Sequence, residues 1–140
     1  MDAPRKLVFT TRIPIRWGDM DAVGHVNNTV YFRYAEQARI EWLESLQLIT
    51  GRAQAEGPVI VNASCTFFVP FTYPGTVELR MYLSHPGRSS VASHFDMRLC
   101  GEETIYAEGA AKIVWTHTAT GKSAPLPPAI RRLLEQGEST

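Results

Sequence analysis

The chain has 140 residues, enough for one compact domain with a real core and too few for two ordinary ones. It is 44% hydrophobic and 20% charged, a balance that excludes disorder. Its 14 basic and 14 acidic residues cancel, which excludes an overall field favouring nucleic acid or an anionic membrane.

The N-terminal Met-Asp-Ala-Pro-Arg-Lys holds no apolar signal-peptide core. No apolar run approaches the ~18 residues of a membrane span. A soluble, cytoplasmic protein is the expectation. Leu7, Phe9, Thr11, Ile13, Ile15 and Trp17 then alternate with Thr10, Arg12 and Arg16, which predicts a half-buried strand. Pro14 cannot donate to a sheet ladder, so this strand belongs at an edge.

From Thr29 the period changes. Tyr31, Ala35, Ala38, Trp42 and Leu46 recur at helical spacing, against Arg33, Gln37, Glu41 and Glu44. Asn27 or Asn28 can cap this helix, and Gly51 lies just beyond its expected end. Tyr31, Tyr34 and Trp42 read as core.

After a polar loop, residues 51–57, four strand patterns follow with no second long helix. Val59, Val61, Ala63, Cys65, Phe67, Val69 and Phe71 form one face of a long first strand. Pro74-Gly75 turns into Val77, Leu79, Met81 and Leu83. His85-Pro86-Gly87 turns into Val91, Ser93, Phe95, Met97 and Leu99. Gly101 precedes Ile105, Ala107, Gly109, Ala111, Ile113 and Trp115. Short connections imply antiparallel pairing. Cys65 and Cys100 fall inside these strands without metal or redox spacing and read as buried free thiols. Ile130 to Leu134 carries a short helix signal. The sum is an α+β domain over residues 1–140: one long helix on a five-stranded antiparallel sheet, with a short C-terminal helix. A single helix covers only part of such a sheet, so self-association is expected.

The polar residues concentrate at the junction between the first strand and the helix: Asp19, Asp21, His25, Asn27 and Asn28. Asp21 reads either as a turn aspartate or as a nucleophile or general base at a cleft, with Gly24 allowing close approach of a ligand. Asp19, nearer the strand end, reads as structural. Asp21 and His25 lack a third ligand at useful spacing, so neither a metal nor a cofactor is expected. Gly87, Arg88, Ser89 and Ser90 offer a cation, two hydroxyls and turn N–H groups to a phosphate or an amide-rich tether.

Taken together, D-M-D-A-V-G-H-V-N-N-x-x-Y-F-x-Y-x-E-x-A-R followed by four strand patterns resembles the hotdog-fold acyl-CoA thioesterases, and more narrowly the 4-hydroxybenzoyl-CoA thioesterase-like group. The resemblance implies a helix wrapped by an antiparallel sheet, and subunits paired into a homodimer or homotetramer with sites at the interface. It implies hydrolysis of an acyl-CoA or acyl-carrier-protein thioester, with Asp21, His25 and Asn28 catalytic. Val23, Gly24, Val26, Asn27 and Tyr31 then bind substrate, with turn N–H groups from residues 23–27 polarising the carbonyl. Arg88, Ser89 and Ser90 fall where relatives contact pantetheine and the phosphates. Val23 stands where fatty-acyl members often carry Asn, and Asn28 where the aromatic-acyl branch has Tyr. Rival readings are a hotdog hydratase or dehydratase and a non-catalytic acyl-thioester-binding module.

Overall fold

The computed structural model describes residues 4–49 and 54–135. Strand β1 (Lys6–Pro14) leads through one 3-10 turn (Trp17–Asp19) to helix α1 (Asn28–Ser45). Then come β2 (Glu56–Phe67), β3 (Thr76–Ser84), β4 (Ser90–Leu99), β5 (Ala107–His117) and α2 (Pro128–Glu135). All five strands pair antiparallel in the order β1-β3-β4-β5-β2. The long helix lies on one face of the sheet, which is the expected α+β architecture.

Alternation explains the layers. On β3 and β4 the residues Val77, Leu79, Met81, Leu83, Val91, Phe95 and Met97 are buried. Their neighbours form the opposite face, where Arg80 pairs with Glu78 and Arg98 with Asp96. Tyr31, Tyr34, Ala35, Ala38, Trp42 and Leu43 bury the facing stripe of α1. Ile130 of α2 joins the same core. Asn27 caps α1: its Oδ1 accepts from Thr29 N at 3.0 Å.

Several boundaries differ from the sequence reading. Strand β1 does occupy an edge, but Trp17 leaves it for the 3-10 turn and is 77% exposed. A register shift between Leu7 and Phe9 turns Leu7 outward, breaking the simple alternation. Helix α1 begins at Asn28, one residue early. The sequence pattern carried β2 to Phe71, yet the strand stops at Phe67. The N–H groups of Phe68 and Val69 both turn to Tyr106 O, so the chain bends there and Phe71 enters the core from a loop. Cys65 is only half-buried on β2, and Cys100 sits in the turn after β4 rather than in a strand. Gly51 lies outside the described residues.

Strand β2 departs furthest from its pattern. It is the second edge of the sheet, with a shift between Ile60 and Asn62. Val59, Ile60, Val61 and Phe67 are all exposed, because α1 does not extend over this edge.

Candidate active site

The two aspartates of the junction have opposite environments. Asp19 is 9% exposed. Its Oδ2 accepts from Tyr34 Oη at 2.7 Å and from Arg16 N at 2.9 Å, and its carbonyl accepts from Asn27 N. Burial, then the hydrogen bond to this carboxylate, pushes the Tyr34 phenol well above the ordinary tyrosine range. Asp19 thus pins the strand end to the helix. Asp21 is exposed at the lip of a cavity. Its Oδ1 accepts from Val23 N at 2.9 Å and His25 N at 3.3 Å, closing an Asx-type loop. Its Oδ2 makes no hydrogen bond among the described residues. Gly24, at φ +88°, makes the tight reversal possible, and Met20 bridges to Val26 behind it.

The cavity holds about 220 Å³ and is lined by Asp21, His25, Val26, Asn28, Tyr31 and the 67–70 segment. Sequence reasoning missed Phe67, Phe68, Val69 and Pro70 as wall residues, having read them as strand. The Pro70 in an otherwise alternating run was the available signal. Tyr31 anchors the wall. Its oxygen accepts from Phe71 N at 3.0 Å, and its ring lies edge-on to Phe67 at 4.8 Å and stacked on Phe71 at 5.5 Å. Burial raises its phenol pKa, against the opposing effect of the Phe71 N–H.

Not every expected donor is available. The N–H groups of Val23, Gly24 and His25 all go to Asp21, that of Val26 to Phe71 O and that of Asn27 to Asp19 O. The expectation that residues 23–27 polarise a carbonyl is therefore corrected: the loop, Phe71 O and Asp19 O already take these donors. Thr29 and Val30 donate to Asn27, which leaves Asn28 N–H as the unpaired backbone donor of residues 23–30. It sits at the positive end of α1 on a residue that lines the cavity. His25 also lines the cavity, but its imidazole makes no hydrogen bond to Asp21. Val23 and Gly24 build the loop without lining the cavity, and Asn27 is the helix cap.

Arg88, Ser89 and Ser90 lie elsewhere. Ser90 is opposite Val114 on β5, whereas Phe67 is opposite Ala107, seven residues away (107 to 114). At ~3.3 Å per residue the two ends are roughly 23 Å apart. The 87–90 turn is fastened there by Arg131, whose Nη2 donates to Gly87 O and Arg88 O. One chain alone does not bring this turn to Asp21.

Among the described residues no group of three or more His, Cys, Asp or Glu is placed to hold a metal, and no helix is long and apolar enough to cross a membrane.

Comparison with known proteins fits this geometry. A solved Pseudomonas aeruginosa protein, provisionally assigned as a thioesterase, is 40% identical, with a TM-score of 0.89 over 92% of this chain and 99% of its own. A provisionally assigned acyl-CoA thioesterase from Xanthomonas campestris is 25% identical, with a TM-score of 0.76 over 86% of this chain and 100% of its own. The 1,4-dihydroxy-2-naphthoyl-CoA thioesterase of Synechocystis shares the fold at 19% identity, with a TM-score of 0.81 over 90% of this chain and 94% of its own. The helix-wrapped sheet is the hotdog fold. Residues 15–134 match the thioesterase-like superfamily. The chain belongs to that superfamily: it is a thioester hydrolase.

Proposed function

We propose that the protein hydrolyses acyl-CoA to a free acid and coenzyme A, with Asp21 as nucleophile or general base. The carrying observation is the asymmetry of its carboxylate: Oδ1 is clamped by two backbone N–H groups, while Oδ2 is free at the cavity lip. The clamp fixes the direction of the free oxygen, the preorganisation that an attacking or proton-accepting group needs. Attack on the thioester carbonyl, by Oδ2 or by a water it deprotonates, puts negative charge on the carbonyl oxygen. Asn28 N–H at the start of α1 is suited to stabilise that charge. The C–S bond then breaks and the thiolate leaves and takes up a proton; on the nucleophilic route a mixed anhydride remains on Asp21 and a water hydrolyses it, and on either route the acid departs as carboxylate. A thiolate is a good leaving group, so a carboxylate and a helix N-terminus suffice without a Ser-His-Asp triad. His25 and the Asn28 carboxamide orient substrate or water, and Val26 and Tyr31 support the acyl group.

The open β2 edge completes the reading. A second copy pairing antiparallel with β2 lays its Glu56 end beside Phe67 of the first. Because Pro58 and Val59 are opposite Trp115 and Val114, that end of the partner carries its own 87–90 turn. The partner's Arg88, the partner's Ser89 and the partner's Ser90 then lie at the same end of the joined sheet as Asp21, in position for pantetheine and phosphate. This supports a homodimer with two shared sites acting on a thioester.

Asp21→Asn tests the chemistry, since the amide oxygen can still accept from Val23 and His25. Across short, medium, long and aromatic acyl-CoAs, kcat/KM is expected to fall about 10²–10⁴-fold with fold and assembly unchanged. Full activity in that variant overturns the assignment.

A further inference from the structure

The 87–90 turn has all its carbonyls bound and keeps N–H groups free. Gly87 O and Arg88 O both accept from Arg131 Nη2, at 2.8 and 3.0 Å, and Arg88 O also accepts from Leu126 N. Ser89 O accepts from Trp115 N, and Ser90 O from Gly87 N. The N–H groups of Arg88 and Ser89 have no acceptor among the described residues, and the Ser89 and Ser90 hydroxyls have no partner there.

Peptide planarity ties these two facts together. In a trans peptide unit the carbonyl of one residue and the N–H of the next lie in one plane and point in opposite directions. The two carbonyls that Arg131 holds belong to the same units as the Arg88 and Ser89 N–H groups. Arg131 therefore fixes both planes from one side, and both N–H groups point away from it. Ile130, the preceding residue of α2, is fully buried and anchors this clamp to the core. Arg131 has no carboxylate within 4.0 Å among the described residues, so its donation goes to the turn alone. Two successive N–H groups, two hydroxyls and the exposed Arg88 guanidinium are thus left to donate. Such a set suits a phosphate, whose oxygens accept from all of them, and offers nothing to an apolar acyl group.

We propose that Arg131 is a positioning residue for coenzyme A: its hold on the Gly87 and Arg88 carbonyls presents the Arg88 and Ser89 N–H groups as a cradle for a substrate phosphate. Arg131 itself touches no substrate. Across the two-fold axis of the paired β2 edges, the clamp of one subunit serves the cavity of the other. The proposal rests on the acyl-CoA reading above, but it can fail separately.

Arg131→Met keeps the stem and removes the donors. The substrates are one acyl group carried on coenzyme A, on phosphopantetheine and on pantetheine, which has no phosphate. In the parent, KM for acyl-pantetheine is expected to exceed that for acyl-CoA at least about tenfold. In Arg131→Met that ratio should fall to within about threefold of one, the loss on acyl-CoA lying in KM rather than kcat. Titrating the parent with coenzyme A alone should move the Arg88 and Ser89 amide protons downfield in its NMR spectrum, and titrating the variant should not. A loss on acyl-phosphopantetheine as large as on acyl-CoA assigns the cradle to the phosphate that coenzyme A shares with carrier proteins. A loss confined to acyl-CoA assigns it to the nucleotide phosphates. The proposal is overturned by a parental ratio near one, by amide signals that ignore coenzyme A, or by a variant that keeps the parental ratio. An equal loss on acyl-CoA and acyl-pantetheine, as a loosened fold would give, overturns it too. The first two measurements need no variant, so they decide even where Arg131→Met fails to fold. A parent that hydrolyses no acyl-CoA overturns the acyl-CoA reading itself.

Discussion

Two carboxylates two positions apart, Asp19 and Asp21, show how little residue type decides. Asp19 is buried under Tyr34 and serves the fold; Asp21 is exposed, and its second oxygen is free. The Tyr34–Asp19 bond has a measurable signature. The folded state holds the Tyr34 proton more tightly than the unfolded chain, whose pKa is near 10.0. Its contribution to stability is therefore complete below pH 10 and is lost as pH rises above it. Denaturant titrations should show wild-type stability falling more steeply above pH 10 than that of Tyr34→Phe, by up to about 1.4 kcal/mol per pH unit for one proton. At pH 7 the same variant should be about 1–3 kcal/mol less stable, because the Asp19 carboxylate loses a donor in a buried place. The polar cluster itself was plain in the sequence, and so was the structural role of Asp19. Which N–H groups remained free was not, since that depends on Phe71 O and Asp19 O arriving from other parts of the chain.

At the scale of elements, β3 and β4 were legible because one face meets the helix and the other meets water, which imposes strict alternation. Strand β2 misled for the opposite reason. Its apolar residues do not face a core in the single chain, and its pattern runs on into a bend that builds the cavity wall. Gly109 on β5 shows a constraint that periodicity hides. A Cβ there would meet Ser64 O on β2 and the Phe95 ring on β4. Gly109→Ala should cost about 1–3 kcal/mol, read as a lower urea midpoint with an unchanged m-value. An unaffected midpoint would mean that β2 and Phe95 yield without strain.

For the molecule as a whole, the proposed pairing at the uncovered β2 edge would link assembly to activity. Val61 is 54% exposed near the centre of that edge. Val61→Lys places like charges across the proposed axis and should give a monomer in sedimentation velocity. If the 87–90 turn of one subunit serves the cavity of the other, that monomer loses at least about tenfold in kcat/KM, mostly through KM. A monomer with parental kcat/KM would show each chain to be self-sufficient. The tryptophans offer a way to watch both events in one cuvette. Trp42 and Trp115 are buried at 1% and 2% exposure, whereas Trp17 stands in water two residues before Asp19. Acrylamide should therefore quench one emitter early and spare two until the core opens. Trp17→Phe would silence the reporter at the strand-to-helix junction and leave the fold's own signal intact.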